Sequence, residues 1–285
     1  MVTTVPQLEY LDVHRPITVV TMHHHGDHPE HDHDFTELVI VERGSALHCI
    51  GKVCDHITTG DVFVIPRGER HAYQSAKSMQ IINILIDLDR LIVPLDSLRT
   101  MPGFQALFMI EPRLTWGQPR GRRLRLNAGE RRTTLGLAQQ IAHECSSANN
   151  GWLASASASF THLAVLLARC YQADAATTSN YWQLADLLGH LESDWNQTWA
   201  VTAMAKRCGL SLSTFQRRFR QLTGHSATEF LIRLRIHHAC QQLHHSDLAI
   251  TTIALTCGFE DSNYFSRQFR RITGMSPSAY RRHVP

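Results

Sequence analysis

The chain has 285 residues, 43% of them hydrophobic, and a formal net charge of +3, enough for one large or two ordinary domains. No apolar run approaches the length needed to cross a bilayer, and the opening MVTTVPQLEY lacks the basic-then-apolar pattern of a signal peptide, so a cytoplasmic protein without a membrane segment is expected. The seven cysteines (Cys49, Cys54, Cys145, Cys170, Cys208, Cys240, Cys257) are odd in number and form no CxxC pair; they read as reduced, mostly buried thiols, with redox sensing by Cys49 and Cys54 as the alternative.

Residues 17–86 are β-rich. ELVIVE (37–42), SALHCI (45–50), DVFVI (61–65) and QIINILI (80–86) are short Val- and Ile-rich runs. Gly44, Gly51, Gly60 and the Pro66-Arg67-Gly68 turn separate several of them, and with no intervening helix this pattern predicts an antiparallel sandwich or barrel. A histidine cluster lies at its start. His31, His33 and Glu37 fall at spacings that point one way along a strand, and His71, after the Pro-Gly turn, comes from a neighbouring strand to meet them. Two or three imidazoles and a carboxylate suit Zn, Ni, Fe or Mn. The same groups also suit hydrogen bonding to the hydroxyls of a sugar, or packing alone. His23, His24, His25 and His28 are expected on an exposed loop.

From about 129 to 172 the period changes: Leu137, Ile141 and Cys145, then Phe160, Leu163, Leu167 and Tyr171, recur at helical spacing. Two amphipathic helices joined near Asn149-Asn150-Gly151 make a hairpin that either covers an open face of the barrel or meets a second subunit. ADAATTSN (173–180) has no periodicity and reads as a linker. The domain reading is therefore a sensor and dimerisation domain at 1–172, a linker at 173–180 and a helical domain at 181–285.

That last region carries twelve basic against seven acidic residues, a net of +5, while residues 1–180 net −2. It also contains a repeat. Ala205 to Leu210 (AKRCGL) is echoed 49 residues later by Ala254 to Phe259 (ALTCGF). At an offset of 50, Phe215, Arg217, Phe219, Arg220, Thr223, Gly224 and Ser226 match Phe265, Arg267, Phe269, Arg270, Thr273, Gly274 and Ser276. In each copy a short helix (201–208, or 250–257) ends at Gly209 or Gly258, where glycine takes the left-handed conformation of a tight turn. A second helix then begins at about 212 or 262. The paired phenylalanines pin one face; the opposite face displays Ser213, Gln216, Arg217 and Arg220, or Asn263, Ser266, Arg267 and Arg270. Arg bonds guanine bidentately and Asn or Gln bonds adenine, the chemistry of major-groove reading by a helix-turn-helix. A plain bundle with solvated arginines explains neither the repeat nor the glycine turns. Between the units, Glu229–His244 reads as a helix of about 24 Å, a spacer that sets two recognition helices into successive major grooves about 34 Å apart.

The stretch Gly258-Phe-Glu-Asp-Ser-Asn-Tyr-Phe-Ser-Arg-Gln-Phe-Arg-Arg-Ile-Thr-Gly-Met-Ser-Pro277-Ser-Ala-Tyr280-Arg281 closely resembles the signature of the arabinose-regulator (AraC) family, over roughly the last hundred residues. The first copy departs in having Ala227 in place of Pro277. By position, the resemblance implies base contacts from Ser213 and Arg217 in the first unit and from Asp261 and Asn263 in the second. Upstream, His31-x-His33-x3-Glu37-x6-Gly44 and Gly60-x5-Pro66-x-Gly68-x2-His71-x3-Ser75 resemble both cupin motifs, with Ser75 in place of the usual Asn. Cupins are small β-barrels, and in their metal-containing members these positions imply His31, His33, Glu37 and His71 as ligands. The run His31 to Gly44, with Gly60-Asp61 and Arg70 to Tyr73, is similar to the rhamnose-responsive branch of the same family, which implies L-rhamnose as inducer. The expectation is an α+β multidomain, non-enzymatic regulator: an N-terminal cupin-like β-barrel with a helical hairpin, and a C-terminal all-α bundle with two helix-turn-helix units. Its implied partners are promoter DNA, RNA polymerase and a second copy in a homodimer. No cofactor is obligatory, and a divalent metal in the barrel is the option. The competing classes are a metal-sensing regulator and a metal-dependent cupin enzyme with a DNA-binding tail.

Overall fold

The strands β1 (Thr3–Val5), β2 (Ile17–His33), β3 (Thr36–Ile50), β4 (Val53–Thr58), β5 (Asp61–Ile65), β6 (His71–Ile86) and β7 (Leu124–Arg125) form one sheet in the order β1-β2-β6-β3-β5-β7, with β4 on β3. The structure is a computed structural model that describes residues 3–5, 10–12, 14–113, 123–175 and 181–283, with side chains from residue 10 to 172 and from 181 onward. The chain divides into two units, Met1–Ala185 and Asp186–Pro285.

In the first unit the Val- and Ile-rich runs are strands buried on both faces. Leu38, Ile40, Val62, Ile82 and Ile84 point outward to the helices, whereas Val39, Val41, Phe63, Ile65, Met79 and Ile81 fill the inside of the bent sheet. A sheet that is apolar on both faces reads in sequence as continuous hydrophobic runs rather than as alternation. All pairings are antiparallel except the short β1–β2 edge.

After the sheet come two short helices, α1 (Leu95–Arg99) and α2 (Pro102–Phe104), and then the hairpin of α3 (Ala128–Ser147) and α4 (Trp152–Ala175). Asn127 caps α3 in a capping box with Glu130. Left-handed Ala148 and Gly151 turn the chain back. Phe160, Leu163 and Leu167 are fully buried in the cluster that includes the outward face of the sheet, each contributing about 1.5–3 kcal/mol. The 21-residue stretch Trp152–Gln172 is, against the sequence reading, apolar enough by composition to cross a membrane; this packed face accounts for its apolarity. The segment 173–180 begins as the end of α4, which runs to Ala175, and 176–180 lie outside the described residues.

The first correction concerns β2. His23, His24, His25 and His28 lie on this strand, not on an exposed loop, and His24 is buried. Register shifts against β6 at His24/Gly26, Gly26/His28 and His28/His31 let the strand continue past Gly26 and Pro29. The second concerns the thiols: Cys49 and Cys54 are disulfide-bonded across the β3–β4 hairpin, and the other five cysteines are free.

α5 (Trp182–Ser193) leads into the second unit, which contains α6 (Val201–Arg207), α7 (Leu212–Thr223), α8 (Ala227–His245), α9 (Ile250–Thr256), α10 (Ser262–Thr273) and α11 (Pro277–His283). The pairs α6/α7 and α9/α10 are the two helix-turn-helix units, joined by α8. Gly209 and Gly258 turn at φ of +63° and +77°. Phe215 and Phe219 are buried in the first copy, and Phe265 and Phe269 in the second, where they pack with Ile253, Phe259 and α8 residues Ile232, Ile236 and Leu243.

Candidate ligand pocket and nucleic-acid interface

His31 and His33 sit at the end of β2, Glu37 at the start of β3 and His71 at the start of β6, so one end of the bent sheet gathers all four. The spacing predicts Glu37 on one strand with the two histidines, but it does not share their strand; the bend at Asp34-Phe35 separates them. Backbone carbonyls orient the imidazoles. His33 Nδ1 donates to the Phe35 carbonyl (2.8 Å) and His71 Nδ1 to the Glu69 carbonyl (3.2 Å). Both Nε2 atoms then point inward. His33 Nε2 lies 2.9 Å from Glu37 Oε2, and the candidate ligand atoms of His33, Glu37 and His71, all buried, lie within 4.8 Å of one another. His31 stands outside this set. Its Nδ1 faces the Pro29 carbonyl at 3.1 Å, and its ring lies 4.2 Å from that of His71, its cross-strand partner.

Burial and neighbouring groups move His71, His24, His31 and Glu37 away from their ordinary values. Burial pushes the His71 imidazole down to about 4 against the opposing charge of Glu37. Burial, helped by His28 and His31, takes His24 to about 4. Burial also lowers His31. For Glu37 burial acts upward, but the His33 hydrogen bond and the surrounding imidazoles outweigh it and hold the carboxyl below the usual range.

Above the cluster opens a cavity of about 250 Å³. Its polar wall includes His24, His28, His31, His33, Glu37, Tyr73 and Asn83; its apolar wall includes Val20, Met22, Phe35 and Leu85. Sequence reasoning missed His24, Tyr73 and Asn83. Asn83 left a signal, a lone amide interrupting the apolar run of β6, where it is buried with its side chain donating to the Met22 sulfur.

In the second unit, Ser213, Gln216, Arg217 and Arg220 on α7, and Asn263, Arg267 and Arg270 on α10, are all exposed, as is Asp261 just before α10. Ser211 caps α7 by accepting from Thr214 N, and Asp261 caps α10 by accepting from Asn263 N at 2.8 Å. Asp261 is thus already engaged at the helix terminus. Several arginines are already engaged, Arg235 and Arg281 by backbone carbonyls and others by carboxylates. Arg207 pairs with Asp186, and Arg233 and Arg271 pair with Glu229. Among the described residues Arg217, Arg220, Arg267 and Arg270 have no acidic partner, which leaves a cationic face on the two second helices available to phosphates or bases.

Comparison with known proteins bears on both halves. Residues 17–163 match the family described as AraC-like ligand binding domain, and residues 204–283 match the helix-turn-helix domain family. The chain is 36% identical over 254 residues, 88% of its length and 86% of the relative's, to the HTH-type transcriptional activator RhaR of Escherichia coli (strain K12). It is equally similar to RhaR of Shigella boydii serotype 4 (strain Sb227), at 36% identity over the same shares of the two chains. Among solved structures, the DNA-binding domain of AdpA in complex with a target DNA is 35% identical over 35% of this chain and 90% of that one, with a TM-score of 0.34.

Proposed function

The chain belongs to the AraC family of ligand-responsive DNA-binding transcription regulators, and from that premise we propose that it is a cytoplasmic activator of sugar-catabolism genes induced by L-rhamnose. The observation that carries this reading is the cavity. Its volume suits a monosaccharide rather than a larger ligand. Buried imidazoles, a carboxylate, a phenol and an amide line one wall for hydroxyls, and Val20, Met22, Phe35 and Leu85 line the other for the methyl group and ring hydrogens of a deoxy sugar. Calorimetric titration of the full chain with L-rhamnose and related sugars tests it: saturable binding preferring L-rhamnose is expected, and no binding of any of them overturns it.

On the DNA side, Ser213, Gln216, Arg217 and Arg220 in the first unit, and Asp261, Asn263, Arg267 and Arg270 in the second, contact promoter DNA in this reading. The chain acts there as a homodimer that engages RNA polymerase. Inducer alters transcription only through unequal affinity for two arrangements of the protein. No turnover belongs to this account; conversion of a sugar by the chain supplied with Fe, Mn, Ni or Zn would sink it.

A specific observation favours a metal ion as part of the pocket. With both Nδ1 atoms committed to carbonyls, His33 aims Nε2 at a carboxylate oxygen 2.9 Å away, and the buried Nε2 of His71 has no hydrogen-bond partner among the described residues. Such convergence calls for a cation or a proton. His33, Glu37 and His71 therefore fit a divalent ion of the Zn, Ni, Fe or Mn kind, with the carbonyls of Phe35 and Glu69 as the outer partners that fix its histidines. When bound, the ion supplies a Lewis-acidic anchor for sugar hydroxyls. Metal analysis and sugar titration before and after chelation decide this point: stoichiometric metal and weakened sugar binding after its removal are expected. A sugar response that survives chelation unchanged removes the metal and keeps the sensor, whereas DNA affinity that follows metal alone makes the protein a metal sensor.

A further inference from the structure

The register of the β3–β4 hairpin sets Cys49 opposite Cys54, with Cα atoms 4.0 Å apart and the sulfurs bonded. Burial pushes the free thiols of Cys145, Cys170, Cys208 and Cys257 up to about 11, so they carry almost no thiolate near neutrality. Cys54, by contrast, is exposed, while Cys49 is buried. The bond spans a sequence separation of only 5, and an unbroken run of cross-strand pairs from Ser45↔Thr58 to Ile50↔Val53 holds the hairpin around it. Closing so short a loop removes less freedom from the unfolded chain than closing a long one, about 2 kcal/mol. A bond that stabilises less than a long-loop staple, that a thiolate can reach, and whose partners the sheet keeps face to face when it opens suits exchange.

We propose that Cys49 and Cys54 form a reversible thiol–disulfide site that exchanges with low-molecular-weight thiols and disulfides and whose state is felt at the inducer pocket. In reduction, the thiolate of a small thiol attacks Cys54 Sγ. The Cys49–Cys54 bond breaks and its electron pair leaves on Cys49, which takes up a proton. A second small thiolate attacks the small-molecule sulfur of the mixed disulfide and releases Cys54, which is protonated in turn. Two small thiols are oxidised to one disulfide, their two protons end on Cys49 and Cys54, and oxidation of the pair is the reverse.

The route to the pocket is short. Cys49 pairs with Ala72 of β6, between His71 and Tyr73, and the preceding His48 ring lies 5.7 Å from that of His71 and 5.1 Å from that of Tyr73. Opening the bond removes the covalent tie across the β3–β4 pair next to His48, so the end of β3 that carries His48, and Ala72 of β6 paired with Cys49, are held less firmly. The effect on inducer rests on the reading of the cavity as the sugar site; the exchange itself does not.

The full-length chain is equilibrated in glutathione buffers from fully reduced to fully oxidised, quenched in acid and alkylated, and its cysteine peptides are weighed. Cys49 and Cys54 are expected to pass together between bonded and free at intermediate ratios, while Cys145, Cys170, Cys208 and Cys257 remain thiols. A pair that stays bonded in excess glutathione until denaturant is added, or stays free in excess glutathione disulfide, overturns the proposal. Amide hydrogen exchange in the peptide spanning Ala72 and Tyr73, which needs no sugar, is expected to quicken at least threefold on reduction and equally in Cys54→Ser under either buffer; unchanged rates overturn the coupling. L-Rhamnose is expected to bind the reduced form at least threefold more weakly, and equal affinity for both forms overturns the link to inducer. Absence of sugar binding by both forms is instead a failure of the inducer reading, and the exchange and amide results then decide the couple by themselves.

Discussion

Replacing Gly258 by alanine tests the turn of the second helix-turn-helix unit. Gly258 has φ of +77°, and an added Cβ would stand 2.4 Å from the Asn196 carbonyl oxygen and 3.0 Å from Arg235 Cζ. Neither neighbour can withdraw easily. Arg235 donates to the carbonyls of Trp195 (3.0 Å) and Gln197 (2.7 Å), which fixes the backbone on both sides of Asn196. Gly274 supplies the control: its φ is +81°, yet nothing lies within 4 Å of its added Cβ. Gly274→Ala therefore carries only the left-handed penalty, about 1–2 kcal/mol. Gly258→Ala adds the overpacking of a filled site, about 1–3 kcal/mol more, for a total of about 2–5 kcal/mol. Because the chain has two units, a single unfolding midpoint is not a sound measure. The assay is hydrogen exchange against urea, read on peptides from residues 250–283 of the full-length variants. Equal losses for the two glycines, or a Gly258→Ala loss under about 0.5 kcal/mol, an ordinary surface effect, would refute the steric reasoning.

Arg217→Ala is expected to cost about 1–3 kcal/mol at one cognate base pair and to relax specificity there, as read by competition with single-substituted operators; equal losses on cognate and random DNA would remove its base-reading role. Arg220→Ala, as a phosphate contact, should weaken binding to every sequence alike and lower the slope of log affinity against log salt by about 0.9. Glu37→Gln keeps the shape of the pocket floor but removes its charge, and L-rhamnose affinity is expected to fall at least tenfold while DNA affinity without sugar is unchanged. Calorimetry and a gel-shift titration read the two effects separately, and undiminished sugar affinity would place the pocket elsewhere.

The parts of the fold that were legible are those where one physical constraint dominates. Runs such as ELVIVE and QIINILI signalled strands because both faces are buried, and Phe215/Phe219 with Phe265/Phe269 signalled helices because a spacing of four puts both rings on one face. β2 was harder. Its histidines, Gly26 and Pro29 look like loop residues, and only bulges against β6 keep the strand going, a feature with no local sequence signature. The same limit explains Glu37: spacing could say that it meets His33, not that a turn intervenes. His24 and Tyr73 enter the pocket through the bend of the sheet, which no single strand encodes. The disulfide was hidden because an odd cysteine count with no CxxC favours thiols until strand register sets two of them opposite each other.

The two helix-turn-helix copies share their main packing residues and differ at some positions of the outer face. The buried phenylalanines, the turn glycines and the left-handed caps Gly224 and Gly274 recur at matching positions, so both copies present a helix of the same length with the same face outward. On the outer face exposed Ser213 stands opposite exposed Asn263, and exposed Gln216 opposite half-buried Ser266. Asn263 can bond adenine in two places, whereas Ser213 reaches less far and discriminates less; the arginine pairs Arg217/Arg267 and Arg220/Arg270 are retained. With the base-contacting residues assigned as proposed above, packing is largely repeated between the copies and base reading is not. The two stretches of DNA bound by one chain are then expected to differ in sequence, with the stretch under α10 the more demanding at its adenine. Selection of bound sequences from a random pool checks this. A direct repeat of one half-site, equally strict in both halves, would mean that the exposed differences between α7 and α10 do not read bases.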